Sequence, residues 1–313
     1  MNRAKRMNKP RSTALSSPSS LRALHARARR RPQEFARDVP LTTLEGLVRA
    51  SRKNRDPYGL RWQKKTAPKV AVQLEYDTEK ALYAAMDSRE LALYAEALRR
   101  CWSAFRIGRG DCIGIFDYGT SPVSYLASSI FSPYLHQGAA DRLGCLAVCN
   151  DGAANLSQRA VDIVRFARPR VLFLRTDCLY PFATEVSRAS LSLSSYVETL
   201  VAVENEAVLS PAERDSYQAT LGVPIYRLVR ADAAMFLAPE CPQCSMFHIW
   251  PDLYYVETFE EEKNPQDRNQ ASRLVITNWF SRSFPAVRYL SQINAVLESA
   301  GCPAGATDLR MRA

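Results

Sequence analysis

Five short apolar segments recur through the middle of the chain, and they constrain its fold more than any other feature. They are CIGIF (112–116), GCLAVC (144–149), RVLFLR (170–175), ETLVAV (198–203) and VPIYRLV (223–229). Their starts lie about 25 to 30 residues apart, the length of one strand–helix unit. Intervening segments such as 155–167 carry apolar residues at helical spacing. The pattern predicts a doubly wound α/β fold with a mostly parallel sheet and helices on both faces.

The pattern changes after Pro239. Residues 252–260 and 272–280 alternate as strands do, whereas 287–298 are compatible with a strand or a helix. We therefore expect a β-rich C-terminal portion within the same large domain. The predicted parts are a basic tail over 1–35, an α/β body over 36–235 and a zinc-knuckle-like, β-rich portion over 236–313.

Helices are also predicted before the first apolar segment. Thr42 or Thr43 can cap a short helix that has Glu45 in its first turn. Residues 78–105 have apolar side chains at helical spacing, which predicts one or two helices. Val70 and Val72 alternate with small or polar residues, as in a half-buried strand.

The net charge of +10 comes from the N-terminal tail, because residues 1–32 hold ten Lys or Arg and no acidic residue. Such a composition buries too little apolar surface to offset the entropy of ordering, so we expect disorder over 1–35. An organelle transit peptide and a polyanion-binding arm are the alternatives. Nucleic-acid binding is not expected without a groove-reading element. The chain has no apolar run that would cross a membrane and no disulfide pattern, so we expect a cytoplasmic protein.

Two cysteines and a histidine stand within eight residues. Cys241 and Cys244 have the spacing that lets both sulfurs reach one metal ion, and His248 follows. Structural zinc takes four ligands, and Cys302, in a Gly-Cys-Pro turn, is the candidate for the fourth. The alternative is that these are ordinary reduced thiols and that His248 is a hydrogen-bonded strand residue.

No catalytic motif is self-evident, since Walker, Gly-x-Ser-x-Gly and Gly-x-Gly-x-x-Gly patterns are absent from the sequence. Cys178 follows a predicted strand at its carboxyl end, where open α/β sheets bind ligands, but an inert thiol is the simpler interpretation. His136 is interpreted as an ordinary lone histidine. Tyr118 and Gly119 follow the predicted strand 112–116 at the same carboxyl edge of the sheet. They either shape a ligand pocket or form a plain turn.

The order of segments resembles the adenylate-forming enzymes, in particular the branch of phenylacetate-CoA ligases and coenzyme F390 synthetases. The matching segments are PLTTLEGLVR (40–49) with DPYG (56–59), GRGDCIGIFDYG (108–119), FARPRVLFLRTDCLYPFATE (166–185), GVPIYRLVRADAAMFLAPECPQCSMFHIWPDLYYVET (222–258) and RLVITNWFSRSFPAVRY (273–289). The resemblance covers about residues 38–310 and implies the large-domain fold of adenylation enzymes. It also implies ATP-dependent activation of a carboxylate.

Several parts that the resemblance implies are missing from the sequence. The glycine-rich phosphate loop is replaced by 63–73, which holds no glycine, and the Tyr-Gly-x-Thr-Glu motif by 226–235. The ribose-binding aspartate corresponds to Ile293, and the lid that carries a lysine would begin where the chain ends, after residue 313. Lys64, Lys65 and Lys69 remain as point charges that could hold phosphate.

We therefore hypothesise an adenylate-forming-like pseudoenzyme with structural zinc, for which ATP and Mg²⁺ are not expected as cofactors. It would bind a carboxylic acid or acyl group near Tyr118, Gly119 and Tyr226, or a partner protein. The alternative is an active acyl- or aryl-CoA ligase, or an acyl transferase, that uses a lid supplied in trans.

Overall fold

The computed structural model describes residues 18–62, 67–74, 82–131, 133–259, 271–299, 301–303, 305 and 309–313. The helices are α1 (Pro18–Arg30), α2 (Pro32–Asp38), α3 (Leu44–Asn54), α4 (Ser88–Ala104), α5 (Pro122–Tyr125), α6 (Ala139–Leu143), α7 (Ser157–Ala167), α8 (Leu179–Arg188) and α9 (Pro211–Leu221). The strands are β1 (Val70–Gln73), β2 (Tyr83–Met86), β3 (Cys112–Phe116), β4 (Leu146–Asn150), β5 (Val171–Arg175), β6 (Thr199–Asn205), β7 (Ile225–Ala231), β8 (Phe236–Pro239), β9 (Phe247–Ile249), β10 (Tyr254–Phe259), β11 (Ser272–Asn278), β12 (Tyr289–Glu298) and β13 (Leu309–Arg312).

The central sheet has six strands in the order β4-β3-β5-β6-β7-β8. Strands β3 to β7 are parallel, and β8 returns antiparallel to β7. All five residues of β5 are buried, which is why this strand is continuously apolar until Arg175. Helices cover both faces, so the predicted doubly wound α/β fold is confirmed.

The second sheet is antiparallel, with five strands in the order β10-β11-β12-β13-β9. It confirms the predicted β-rich C-terminal portion and shows that the ambiguous segment 287–298 contains a strand. One hydrophobic cluster joins this sheet to the parallel one, since it contains Trp102 of α4, Phe173 of β5 and Tyr254 of β10. The β-rich portion therefore shares a core with the α/β body.

Two predictions about the N-terminal half differ from the structure. Residues 18–35 fall within the tail expected to be disordered, yet they lie in α1 and the first part of α2, where Ala28 and Phe35 bury their side chains against Val287. Residues 82–86, expected to be helical, hold β2, which pairs with β1. Helix α4 begins only after Asp87, where that residue and Glu90 form a capping box.

The predicted cap of α3 is confirmed, because the Thr43 side chain accepts a hydrogen bond from the amide of Gly46. None of the helices in the described ranges is long and apolar enough to cross a membrane.

Candidate functional site

Buried polar side chains gather where the parallel strands end. Asp117, directly after β3, is 2% exposed and accepts hydrogen bonds from Ser121 Oγ at 2.6 Å and from the amide of Tyr118 at 2.7 Å. Burial raises the pKa of Asp117, and the positive charge of Arg230 opposes that rise. This edge is the ligand-binding side of open α/β sheets.

Two arginines complete this edge. Arg230 of β7 is 2% exposed, donates to Ser121 Oγ at 2.9 Å and lies 3.1 Å from the carboxylate of Asp232. Arg175, at the end of β5, pairs with Asp177 at 2.5 Å and lies with its guanidinium 3.8 Å from the ring centroid of Tyr118. Arginines and carboxylates of the protein therefore neutralise one another here, and we call these residues the carboxyl-edge cluster.

A charged cavity of about 340 Å³ opens at the ends of β5, β6 and β7. Its polar lining consists of Arg175, Thr176, Asp177, Glu204, Asn205 and Arg230. Glu204 accepts hydrogen bonds from Thr176 Oγ1 at 2.9 Å and from the amide of Leu209 at 2.6 Å. The carboxylates in this lining are thus already bonded within the protein.

A more apolar cavity of about 400 Å³ lies between the β1–β2 pair and the start of α5. It is lined by Val70, Ala71, Val72, Gln73, Tyr83, Gly119, Thr120, Tyr125, Pro133 and Tyr134. We call it the tyrosine cavity. A Cβ built on Gly119 would meet no atom within 4 Å, so this residue faces open space.

The structure separates the ligand residues predicted from the sequence. Tyr118 and Gly119 lie together after β3, whereas Tyr226 lies near the amino end of β7 with its ring against Phe105. Lys69 is exposed just before β1. Lys64 and Lys65 lie outside the described residues.

The positions at which the resembling enzymes have their ribose-binding motif have structural roles in this chain. Ile293 is 1% exposed and belongs to the main hydrophobic cluster. Tyr289 donates its hydroxyl hydrogen bond to Glu206, and the amide of Gln292 donates to the other oxygen of Glu206 at 3.0 Å. This stretch of β12 thus contributes packing and internal hydrogen bonds.

The four predicted metal ligands come together in space. The ligand atoms of Cys241, Cys244, His248 and Cys302 all lie within 4.8 Å of one another. Sγ of Cys241 is 3.8 Å from Sγ of Cys302, and Sγ of Cys244 is 3.5 Å from Nε2 of His248. For zinc bonds of about 2.3 Å to sulfur and about 2.0 Å to nitrogen, a tetrahedron places two sulfurs about 3.8 Å apart and a sulfur and a nitrogen about 3.5 Å apart. The cluster could therefore hold a metal ion.

Local backbone structure explains this convergence. The segment after β8 folds back so that the amide of Cys241 donates to Met246 O at 2.9 Å, and the amide of Gln243 points at Sγ of Cys241 at 3.4 Å. His248 lies on β9, directly opposite Arg310 of β13. Burial lowers the pKa of His248, and the charge of Arg310 lowers it further, so the imidazole is kept neutral and able to bind a metal.

Cys178 matches the inert interpretation. Its Sγ donates to Gly152 O at 3.1 Å, and burial raises the pKa of this thiol to about 12. A thiol with so high a pKa forms little thiolate and is a poor nucleophile. His136 is exposed after α5.

Sequence reasoning did not select Asp117, Arg175 and Arg230. The sequence did carry a signal for them, because each of these charged residues stands at or just after the carboxyl end of a predicted strand. In parallel sheets these ends meet along one edge.

The α/β sheet followed by a β-rich region is the fold of adenylate-forming enzyme domains. Among solved structures, 2-hydroxyisobutyryl-CoA ligase in complex with 2-HIB-AMP and CoA in its thioesterification state matches with a TM-score of 0.72 and 18% identity, over 95% of this chain and 63% of that one. Its open conformation matches with a TM-score of 0.70 and 17% identity, over 93% and 68% of the two chains.

A malonyl-CoA ligase complex with methylmalonyl-CoA and AMP matches with a TM-score of 0.50 and 14% identity, over 78% of this chain and 52% of that one. These structural neighbours are acyl-CoA ligases of the AMP-forming, adenylate-forming superfamily. The chain therefore spans roughly half to two thirds of their length. No family model matches the sequence, and no curated protein does.

Proposed function

We propose that this protein binds a carboxylic acid or acyl ligand on an adenylate-forming fold and does not form acyl-adenylates. The main observation behind this proposal is the carboxyl-edge cluster. The stretch 226–235, which stands where the resembling enzymes have Tyr-Gly-x-Thr-Glu, supplies Arg230 and Asp232 as partners of each other. Internal ion pairs at this edge leave few free donors for a nucleotide's phosphates, and catalysis of adenylation depends on such donors.

The tyrosine cavity is the proposed site of the ligand. Val70 and Val72 supply apolar wall, and Tyr83, Tyr125 and Tyr134 supply rings and hydroxyl groups. Its volume lies within the usual range for small-molecule sites, and its lining suits an aryl or branched acyl group. The residue matches over 222–289 support a relationship to the phenylacetate-CoA ligase branch. In this proposal the chain is a degenerate relative of that branch. Its parts are the basic tail, the α/β body and the β-rich portion predicted from the sequence.

We also propose that Cys241, Cys244, His248 and Cys302 bind one structural zinc ion. The 3.8 and 3.5 Å separations of the ligand atoms support this, since they match a tetrahedron of about zinc size. All eight cysteines are free thiols, which supports a reducing, cytoplasmic location.

Calorimetric titration with aryl and branched-chain carboxylic acids tests the ligand site, using the wild type and the Gly119→Trp variant. The indole would enter open space without a backbone penalty, because φ of Gly119 is not positive. We expect the variant to fold normally and to lose at least about tenfold in affinity, or about 1.4 kcal/mol.

Gly108→Trp is the matched control, because Gly108 also has no atom within 4 Å of a built Cβ and does not line the tyrosine cavity. Equal affinities of the wild type and Gly119→Trp for every acid that binds would place the ligand elsewhere. Lack of binding by all the acids would contradict the proposed ligand class.

A further inference from the structure

A second groove lies beside the metal cluster, away from the tyrosine cavity. Its volume is about 480 Å³. It runs between the C-terminal half of α4 and the segment that carries Cys241 and Cys244. Its lining consists of Arg99, Arg100, Ser103, Ala104, Arg106, Cys241, Pro242, Gln243, His248 and Trp250. We call it the knuckle groove.

Two arginines of the groove lining, Arg99 and Arg100, share the carboxylate of Glu96 with Arg142, which lies outside the lining. Glu96 accepts hydrogen bonds from Arg99 at 2.7 and 2.8 Å, from Arg100 at 3.1 Å and from Arg142 at 3.2 Å. Burial alone would raise its pKa, but the hydrogen bonds and positive charges of Arg99 and Arg100 hold the pKa of Glu96 at about 2. Glu96 therefore stays ionised at neutral pH.

The charges around the groove do not cancel. Arg100 also pairs with Asp252 at 2.8 Å. The Arg106 side chain, exposed two residues after the end of α4, has no hydrogen-bond or ion-pair partner among the residues that the structure describes. Four arginines (99, 100, 106 and 142) against two carboxylates (96 and 252) leave a net charge of +2. A zinc ion with three thiolates would carry −1, and Arg310 beside the cluster offsets that charge.

We propose that the knuckle groove binds the phosphate group of a small phosphorylated molecule. A phosphate monoester carries −1.5 to −2 charges near pH 7, which matches the charge excess of the groove. Guanidinium groups bind such oxyanions through paired N–H donors. Trp250 and Pro242 line the groove and provide apolar surface for the organic part of the ligand. Its size suits a ligand as large as a nucleotide.

Titration of the zinc-loaded protein with inorganic phosphate and with AMP, at low ionic strength, tests this site. Arg106→Gln removes the free cation and leaves the paired arginines in place, so we expect at least a tenfold loss of affinity. Ser103→Glu introduces a negative charge into the lining of the knuckle groove and should weaken phosphate binding more than Arg106→Gln does. Arg159→Gln, at an exposed position of α7, removes an equal charge from another surface and should leave affinity unchanged.

Binding of AMP but not phosphate would place the affinity in the organic part, which contradicts a phosphate site. Equal affinities for the wild type, Arg106→Gln and Ser103→Glu would also overturn the proposal, provided that all variants keep their metal and melting temperature. A ligand whose binding is lost in Gly119→Trp but kept in Arg106→Gln occupies the tyrosine cavity instead. The two variants therefore distinguish failure of the phosphate-site proposal from failure of the proposed acid site.

Discussion

Replacing Cys241 by serine should lower the free energy of unfolding by several kcal/mol and release the metal. The reason is that zinc binding energy in a structural site becomes folding energy. The four ligands join the segment after β8, strand β9 and the turn after β12, so losing the metal would loosen three chain segments at once. The measurement is denaturant unfolding of both proteins, together with their zinc content.

Cys112→Ser is the matched control, because Cys112 is a half-buried free thiol on β3 outside the cluster. It should cost about 1 kcal/mol, the usual scale of a single substitution. Treating the wild type with a strong chelator should reproduce the loss seen in Cys241→Ser and leave that variant unchanged. Equal stability costs for Cys241→Ser and Cys112→Ser in zinc-supplemented protein would contradict the zinc site.

Glu240→Ala should destabilise the protein by about 3 to 5 kcal/mol, the range found when one partner of a buried ion pair is removed. Glu240 is 1% exposed and accepts hydrogen bonds from Arg227 Nε at 2.9 Å and from Arg227 Nη2 at 2.8 Å. Arg227 is 6% exposed, so its charge would remain buried without its carboxylate. Denaturant unfolding with zinc analysis checks this, because Glu240 directly precedes Cys241, one of the proposed metal ligands.

An exposed ion pair provides the control. Glu198 has a side chain that is 70% exposed and lies 3.4 Å from Arg170, so Glu198→Ala should cost less than about 1 kcal/mol. Replacing both buried partners, with Arg227→Met and Glu240→Leu, should recover much of the stability lost in Glu240→Ala. Equal costs for Glu240→Ala and Glu198→Ala would show that the buried pair does not matter.

The sequence predicted the parallel sheet well, because buried parallel strands are continuously apolar and their spacing is regular. Segment 112–116 matches β3 residue for residue, and 170–175 contains β5. The prediction was wrong at 82–86, where residues compatible with a helix pair with β1. Only the capping box at Asp87 distinguishes the true start of α4, and strand pairing between distant residues is not visible in local periodicity.

The candidate sites were predictable to different degrees. Cys241, Cys244 and His248 stand close in sequence and Cys302 stands in a Gly-Cys-Pro turn, so the four proposed metal ligands could be predicted from the sequence. The carboxyl-edge cluster could not, since Asp117 and Arg230 meet only through the strand order of the sheet. The knuckle groove depends on side-chain pairing at Glu96, which residue type alone does not reveal.

ATP-dependent pyrophosphate exchange is the measurement that tests the central claim most directly. The purified, zinc-loaded protein would be incubated with ATP, Mg²⁺, labelled pyrophosphate and each acid that binds in the titrations, with an active acyl-CoA ligase as positive control. We expect no acid-dependent exchange, because the carboxyl-edge cluster is occupied by its own ion pairs and β12 packs Ile293 into the core. Acid-dependent exchange above the protein-free rate would contradict the account and identify the chain as an active adenylate-forming enzyme.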